Sequence, residues 1–391
     1  MVERIKMNIL FFDTGSYTYR DILTAFKKMG HNCRTVYYHF PDRYEDAFFE
    51  ERLKEYLQKD FYDCVFSVNF FPLVAKVCDR YKVMYLSWSY DSPLDERLQD
   101  YFHYETNRIF LFDYLEAEEY QKKGYQNVLH LPLAVDTDRL DAMVYQEPIH
   151  KKYCSQISFV GKMYDSPLDE LLRPADDYCK GFIHGILQMQ MQVYGYYFVE
   201  DLITETLLAE INRSYKRLGQ KEVLLTKRGL SHAVAARITQ IERTALLERA
   251  NQRFDVRLYT YRGVMLSEGL PVNYGPLKYY EEMPLVFRGS KLNLNITLKD
   301  IRSGIPLRAL DIMGNRGALL SNYQPELAEQ FEDGKDVILY DSLDDAVDKA
   351  EFYLRKEDLR ERIALNGYQK VKEHFSYEKQ LGKMFEISFG D

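Results

Sequence analysis

One stretch, residues 291–320, constrains the fold of this chain more than any other. It opens with apolar and polar residues in alternation over 292–296, a pattern typical of a strand. After a polar loop, Pro306 stands at or near the first position of a helix, where its missing N–H costs nothing. Gly317 follows the end of that helix, and 318–320 begin another strand. The order strand, loop, helix and strand predicts a βαβ unit in a parallel sheet.

The first turn of this helix is a candidate anion-binding site. Its N–H groups have no partner within the helix, and the helix dipole favours negative charge there. Arg302 lies in the preceding loop, and Arg308 and Asp311 share one face of the helix. A cation and a carboxylate beside a helix N-terminus suit a nucleotide diphosphate with its ribose. A plain ion pair between Arg308 and Asp311 on the helix surface accounts for the same spacing equally well.

Length and charge narrow the class of protein. A chain of 391 residues is too long for one ordinary core, so two domains are expected. The net charge of −8 disfavours nucleic acid as a partner, because binding to a phosphate backbone needs a basic surface. The same charge disfavours a strongly polybasic membrane anchor.

The cysteines and the apolar runs indicate the compartment. The five cysteines are scattered, odd in number and free of any CxxC pair, which fits reduced thiols better than disulfides or a zinc site. The N-terminal apolar run is too short for a signal peptide, and no window approaches about 18 apolar residues. We therefore expect a soluble cytoplasmic protein without a transmembrane segment.

Short apolar strands alternate with helical spacing in both halves of the chain. We therefore predict an α/β protein with one Rossmann-like domain over 1–150, a second over 151–380 and a tail over 381–391. Long helical patterns with few strand signals predict a helical insertion in the second domain, over about 174–252. The two domains are expected to face each other across a cleft that binds the ligands.

Two acidic residues of the first half are candidate catalytic bases. Asp13 follows the first predicted strand, and Asp91 lies just beyond the strand predicted at 83–86. Doubly wound sheets place their sites beyond the carboxyl ends of their strands, so both side chains are expected near the ligand. Asp91 and Ser92 would alternatively cap the next helix.

Two further motifs have competing explanations. Lys162 directly follows the first strand of the second half and can reach a phosphate, although a lone lysine is usually only solvated. The triplet 136–138 matches the DxD pattern that holds a metal on a sugar diphosphate in other transferases. Loop and helix-cap chemistry explains this triplet better, so no metal site is predicted.

Nine segments carry a resemblance to a known family and together cover nearly the whole chain. In the second half they are SFVGK (158–162), GPLKYYEEMPLVFRGSKLNLNIT (275–297), IRSGIPLRALDIMGNRGALLSNYQPEL (301–327), FEDGKDVILY (331–340) and GYQKVKEHFSYE (367–378). In the first half they are YDCVFSVNFFP (62–72), YLSWSYDSPL (85–94), IFLFD (109–113) and LPLAVDTDRL (131–140). In this order and spacing, the second half resembles glycosyltransferases of the GT-B fold, most closely the bacterial CgeB-like spore-maturation group with its "glycosyl transferases group 1" domain. The first half resembles the domain that often precedes it.

The resemblance implies a glycosyltransferase that depends on a nucleotide sugar. The C-terminal domain would bind the donor, with a UDP-sugar as the leading expectation. The N-terminal domain would bind the acceptor, which is a glycan, a protein or a small molecule. No cofactor and no metal are expected, because cationic side chains would stabilise the leaving diphosphate. The oligomeric state stays open.

The resemblance also places the donor site. Its predicted residues are Gly161, Lys162, Tyr274, Gly275, Pro276, Arg302, Ser303, Gly304, Arg308 and Asp311. Lys162 and Arg308 would contact the diphosphate, and the loop 274–276 the base. Asp311 takes the place of the second glutamate of the E-x7-E region and would bind the ribose. Ser303 replaces the first glutamate, which leaves the grip on the sugar and the stereochemical outcome open.

Two other functions fit the same fold. A non-catalytic scaffold that binds a nucleotide or sugar is one, and the loss of the glutamate at Ser303 is its main support. An epimerase or hydrolase of nucleotide sugars is the other, since a fold does not determine a function. The presence of Lys162, Arg308 and Asp311 together argues against the scaffold, because a degenerate site would have little use for all three.

Overall fold

The structure of the protein, a computed structural model, describes residues 6–145, 151–219, 224–263 and 267–390. Its contacts divide the chain into two compact units. The first unit contains the residues up to Thr137, the segment Gly304–Leu310 and the residues from Val371 onward, and the second contains Asp138–Ser303 and Asp311–Lys370. The first unit is thus assembled from three separate segments of the chain.

A six-stranded parallel sheet forms the centre of the first unit. Its strands are β1 (Asn8–Asp13), β2 (Asn32–Tyr37), β3 (Cys64–Val68), β4 (Met84–Ser89), β5 (Asn107–Leu111) and β6 (Val128–His130). Their spatial order is β2-β1-β3-β4-β5-β6, and β3 is buried along its whole length. Because the order changes direction between β1 and β3, this is the switch point at which such sheets bind ligands.

The second unit contains a five-stranded parallel sheet with the same kind of order. Its strands are β7 (Ser155–Val160), β8 (Val256–Tyr259), β9 (Ser290–Asn295), β10 (Leu319–Asn322) and β11 (Ile338–Tyr340). Their spatial order is β11-β10-β9-β7-β8, which places the switch point between β7 and β9. A single parallel bridge between Leu258 and Asn273 extends the sheet beyond β8.

Helices connect the strands of both sheets. They are α1 (Tyr19–Lys28), α2 (Ala47–Lys59), α3 (Pro72–Tyr81), α4 (Tyr114–Lys122), α5 (Thr137–Asp141), α6 (Leu168–Leu172), α7 (Asp177–Gln190), α8 (Val199–Leu202), α9 (Glu205–Arg217), α10 (Lys227–Asn251), α11 (Met283–Gly289), α12 (Leu307–Gly314), α13 (Pro325–Gln330), α14 (Leu343–Arg355), α15 (Glu357–His374) and α16 (Tyr377–Phe389). Side-chain caps fix several starts. Thr226 begins α10 by accepting a hydrogen bond from the Gly229 N–H at 3.0 Å.

The helices α6 to α9 form an insertion in the second unit and share a hydrophobic core of their own. Near the start of α10, Leu230 and Val234 pack in that core. Farther along α10, Leu246 and Leu247 pack instead in the core of the sheet. The sequence predicts an insertion over 174–252, whereas α10 is the crossover helix between β7 and β8 and the insertion precedes it. The apolar spacing of α10 could not distinguish these two partners.

The end of the chain also differs from the sequence prediction. The sequence predicts a tail over 381–391, but α16 covers most of this range. Leu381, Met384 and Phe385 are buried, and the Phe385 ring lies 6.0 Å from that of Phe26 on α1. Their spacing of i, i+3 and i+4 gives the helix an apolar face that packs on the first unit.

The predicted fold class is confirmed, since both units are α/β structures built on parallel sheets. The stretch 291–320 forms β9, α12 and β10 in the predicted order. No helix of the described residues combines the length and the apolar character that crossing a bilayer requires.

Candidate functional site

One arginine fixes the loops on both sides of the β7/β9 switch point. Arg243 of α10 is buried, and its guanidinium donates to the carbonyl oxygens of Lys162 and Ile296. Lys162 follows β7 and Ile296 follows β9, and the Nε–O distance to Ile296 is 3.1 Å. The guanidinium carbon also lies 5.2 Å from the centroid of the Phe159 ring. A Cβ on Gly161 would come within 3.0 Å of that ring, so a glycine fits best there.

Lys162 presents an exposed positive charge at this switch point. Its ammonium group lies 5.5 Å from the centroid of the Tyr164 ring, and among the described residues no acidic side chain pairs with it. Lys299, in the loop after β9, is the opposite case, because it is buried and pairs with Glu242 at 2.7 Å. Of these two lysines, Lys162 is the one whose charge is available to an anion.

A histidine and an aspartate meet within electrostatic range of Lys162. His232 lies on α10, and its Nδ1 is 2.7 Å from Oδ2 of Asp300, a buried residue in the loop after β9. The hydrogen bond to Asp300 raises the pKa of His232 above its usual value, while burial and the positive charges of Lys162 and Arg228 oppose the rise. This pair could not be predicted from the sequence, because its members are 68 positions apart and no local motif links them.

The loop predicted to contact a base follows the bridge at Asn273. The Tyr274 ring is 51% exposed and lies 5.5 Å from the Tyr259 ring, at an angle of 37°. Gly275 has φ of +87°, a left-handed conformation that favours glycine, and its N–H donates to Oδ1 of Asn273 at 2.8 Å. Pro276 is exposed. This loop therefore presents a rigid turn with an exposed aromatic face.

Asp311 and Ser303 are both buried, and each has a defined partner. Oδ1 of Asp311 accepts a hydrogen bond from the Tyr279 hydroxyl at 2.9 Å. The Ser303 hydroxyl donates to Oε1 of Glu326 at 2.7 Å, and the Glu326 N–H donates to the Ser303 carbonyl at 3.1 Å. A carboxylate from the start of α13 thus contacts Ser303, the residue that takes the place of the first glutamate of the resembling family. Glu326 was missed because it comes from another βα connection.

A tyrosine-rich loop of the insertion, 193–198, lies beside Arg302. Buried Gln190 anchors this loop by donating to two of its backbone carbonyl oxygens. Gly195 packs flat against Tyr323, the residue after β10, since a Cβ there would lie 2.6 Å from its ring. Arg302 and this loop line one narrow pocket. The insertion therefore contributes to the carboxyl edge of the second sheet.

The structure groups the other two predicted donor-site residues, Gly304 and Arg308, with the first unit. A Cβ on Gly304 would lie 2.7 Å from the Phe112 ring and 2.8 Å from the Phe112 carbonyl oxygen. The Gly304 N–H donates to Oδ2 of Asp113 at 3.4 Å. Close packing thus accounts for the glycine. Arg308 is partly buried on the first turn of α12.

The two candidate bases of the first unit differ in their surroundings. Asp13 is buried at the end of β1, and its Oδ1 accepts a hydrogen bond from the Ser16 N–H at 3.0 Å. Asp91 is exposed, and its Oδ2 accepts from Nδ2 of Asn69 at 2.7 Å. Partial desolvation raises the pKa of Asp91, while the hydrogen bond from Asn69 and the charge of Arg43 oppose the rise.

The alternative that Asp91 and Ser92 cap the next helix is wrong. The short 3₁₀ helix Glu96–Tyr101 begins instead at Asp95, whose side chain accepts from the Arg97 N–H. The Ser92 hydroxyl donates to Glu116 at 2.7 Å. The side chain of Asp91 therefore does not cap this helix.

Among the described residues, no group of three or more His, Cys, Asp or Glu side chains is arranged to hold a metal ion. The triplet 136–138 runs into the short helix α5.

Sequence comparisons with known proteins find a match in the second half of the chain. Residues 230–386 match the family model described as glycosyl transferase-like. No curated protein is significantly similar to the chain in sequence.

Three solved structures share its architecture. A glycosyltransferase from Rickettsia africae ESF-5 has 10% identity and a TM-score of 0.55, with 98% of each chain covered. Sucrose-phosphate synthase from Thermosynechococcus elongatus has 10% identity and a TM-score of 0.57, covering 98% of this chain and 99% of its own. HepE from Anabaena, in complex with UDP and glucose, has 10% identity and a TM-score of 0.52, covering 97% of this chain and 100% of its own. The chain therefore has the GT-B fold, and its residues 230–386 are similar to the glycosyl transferase-like family.

Proposed function

We propose that the protein transfers a sugar from a UDP-sugar to an acceptor, without a metal ion. The observation that carries the proposal is Lys162, an exposed cation at the switch point of the second sheet that pairs with no acidic side chain of the described residues. Phosphate groups bind at such switch points in doubly wound folds. The choice of UDP is supported by the similar HepE fold, which has been solved in complex with UDP and glucose.

The proposed grip on the nucleoside uses the remaining part of the second unit. The exposed ring of Tyr274 offers a face on which a base can stack. The carboxylate of Asp311 would accept hydrogen bonds from the ribose hydroxyls, and the bond from Tyr279 would hold it in orientation. Gly161 and Gly275 would let the backbone approach the nucleotide closely, and Pro276 would restrict the conformation of the loop.

The proposed chemistry depends on stabilising the leaving group. As the bond to the sugar breaks, negative charge builds on the nucleoside diphosphate, and a fixed cation lowers the energy of that state. Lys162 would supply this charge, with Arg302 and Arg308 as further predicted cations. In this scheme no divalent ion is needed to neutralise the diphosphate.

The acceptor hydroxyl needs a proton acceptor, and we propose Asp91 for this role. Its raised pKa brings the carboxylate closer to the range in which general bases are effective. Asn69 would hold the carboxylate in place through its 2.7 Å hydrogen bond. Asp13, whose side chain is engaged in a turn, is the second candidate.

The finer assignments are also proposals. Membership of the CgeB-like bacterial group is supported by the order of the nine segments given above. A cytoplasmic location is supported by the cysteines, all five of which are free. The acceptor is a glycan, a protein or a small molecule. The contact between Glu326 and Ser303 weakens the main argument for a non-catalytic scaffold.

A nucleotide screen tests the proposal. A ligand that binds only the folded state raises the apparent thermal stability, so UDP, GDP, CDP, ADP and dTDP are compared by thermal shift. We expect a shift with UDP that is lost in Lys162→Ala. Lys291→Ala is the matched control, because Lys291 is exposed near the opposite end of β9. Absence of a shift with any nucleotide in folded protein would contradict the donor assignment.

Turnover then separates the enzyme classes. Release of UDP from the donor should require an added acceptor hydroxyl if the protein is a transferase. Release at the same rate in water alone would favour a hydrolase, and conversion of the sugar without release of UDP would favour an epimerase. Chelator added to the assay should leave the rate unchanged.

A further inference from the structure

The pair of His232 and Asp300 leaves one ring nitrogen of the histidine without a hydrogen bond among the described residues. Nδ1 of His232 is held by Asp300, whereas Nε2 has no hydrogen-bond partner among the described residues. The His232 side chain is 49% exposed, and that of Asp300 is 5% exposed. The buried carboxylate therefore orients an imidazole whose far side meets solvent.

The position of His232 is fixed by both loops of the switch point. The Ser166 hydroxyl, in the connection after β7, donates to the carbonyl oxygen of Ala233, the next residue along α10. The Lys299 N–H, in the loop after β9, donates to the Thr239 hydroxyl at 3.0 Å. These bonds attach the same helix to both loops, so His232 stays close to Lys162 without belonging to either loop.

The protonation state of His232 decides what Nε2 can bind. An ionised carboxylate only accepts hydrogen bonds, so Asp300 requires the hydrogen on Nδ1 of His232. In the neutral ring Nε2 is then an acceptor, and it cannot bind a phosphate oxygen. In the protonated ring Nε2 becomes a charged donor, and its bond to a phosphate oxygen is of the strong, charge-assisted kind.

A structural role alone would leave part of this arrangement unexplained. A pair that only attached α10 to the loop after β9 would need Nδ1 and Asp300, but not an exposed Nε2. The charges of Asp300, Lys162 and Arg228 act on His232. Two cations near an imidazole disfavour its protonation. A bound anion such as a diphosphate offsets this repulsion and makes protonation more favourable.

We propose that protonated His232 donates from Nε2 to the diphosphate of the nucleotide sugar, next to Lys162, and that Asp300 is its positioning residue. This inference rests on the proposed function and extends it: donor affinity is coupled to the protonation of one histidine. Nucleotide binding should therefore be tighter at mildly acidic pH, where His232 carries its charge.

Titration calorimetry with UDP and with inorganic pyrophosphate tests the coupling between pH 5.5 and 8.5. We expect His232→Gln to weaken binding roughly 10- to 100-fold at the acidic end and little at the alkaline end. Both ligands ionise in this range, but the ratio of wild-type to variant affinity cancels that contribution. His184→Gln, at an exposed site on α7, is the matched control and should follow the wild type.

Asp300→Asn separates positioning from folding. The variant should still bind UDP, but the midpoint of the pH dependence should move to lower pH, since the carboxylate no longer supports the charge on His232. A merely structural pair would change thermal stability and leave that midpoint in place.

Nuclear magnetic resonance of the wild-type ring provides a measurement that needs no variant. If protonated His232 contacts the diphosphate, saturating UDP must raise the pKa of His232, because the bound anion stabilises the charged ring. An unchanged pKa, or equal pH profiles for wild type and His232→Gln, overturns the inference while UDP binding itself upholds the proposed function. Failure of the wild type to bind UDP or pyrophosphate at any pH overturns both.

Discussion

Ser303 and Glu326 are joined by two hydrogen bonds although they are 23 positions apart. The serine hydroxyl donates to the carboxylate at 2.7 Å, and both residues are buried. The sequence places a serine where the resembling family has its first glutamate. The fold brings a carboxylate from the next βα connection into contact with that serine. A carboxylate is therefore present beside Ser303, although it comes from another position in the sequence.

Glu326→Gln tests whether this charge takes part in the reaction. The amide keeps the shape and an oxygen that accepts from Ser303, but it removes the charge. We expect kcat to fall roughly 10- to 100-fold, with the thermal midpoint close to the wild-type value. Steady-state kinetics with the donor found by the nucleotide screen gives the answer. Ser303→Ala keeps the charge and should lose less activity, and an unchanged kcat in Glu326→Gln would make Glu326 a structural partner alone.

The buried pair of Lys299 and Glu242 should be costly to break. Their side chains are 8% and 4% exposed, and Glu242→Ala would leave the lysine charge buried without its partner. We expect a loss of about 3–5 kcal/mol in the free energy of unfolding, measured by urea denaturation. The double variant Glu242→Leu with Lys299→Met should recover most of the lost free energy of unfolding. Glu351→Ala, which breaks an exposed pair with Arg355, is the control and should cost about 0.5 kcal/mol or less.

The pH dependence of turnover reports on Asp91. A carboxylate base is active when ionised, so kcat/KM should rise with pH through its pKa. The hydrogen bond from Asn69 lowers that pKa, so its removal should move the acidic limb to higher pH. Asn69→Gly removes the side chain without strain, because Asn69 has φ of +64°. Asn366→Ala, at a half-buried site on α15, should leave the limb in place, and an unmoved limb in Asn69→Gly would argue against Asp91 as the base.

Two glycine substitutions should act in opposite directions. Gly195→Ala places a Cβ 2.6 Å from the Tyr323 ring in a left-handed backbone conformation, and we expect a loss of about 1–3 kcal/mol in unfolding free energy. Gly181→Ala lies inside α7 with open space around it and should stabilise by up to about 1 kcal/mol. Chemical denaturation of both variants gives the comparison. Equal effects would mean that the loop 193–198 adapts freely around Tyr323.

The elements and their order were predictable because each depends on local spacing. The alternation over 292–296, followed by Pro306 and Gly317, was enough to predict β9, α12 and β10. The apolar spacing from Leu381 to Phe385 was equally readable, and the prediction of a tail there overlooked it.

The site was less predictable, because its partners come from distant parts of the chain. His232 and Asp300 meet only when α10 packs beside the loop after β9. Glu326 reaches Ser303 only because β9 and β10 are neighbours in the sheet. Periodicity reports which residues face a core, but it does not report which loops adjoin across a sheet edge. The sequence therefore indicated Lys162 as a candidate, but neither the pair of His232 and Asp300 nor Glu326.

The double packing of α10 has a consequence for how the second unit unfolds. Its first half completes the core of the insertion, and its second half completes the core of the sheet. Loss of either core would remove the support for Arg243, which holds the Lys162 and Ile296 carbonyls. The insertion is thus not a detachable module, and the unit should melt in one cooperative transition.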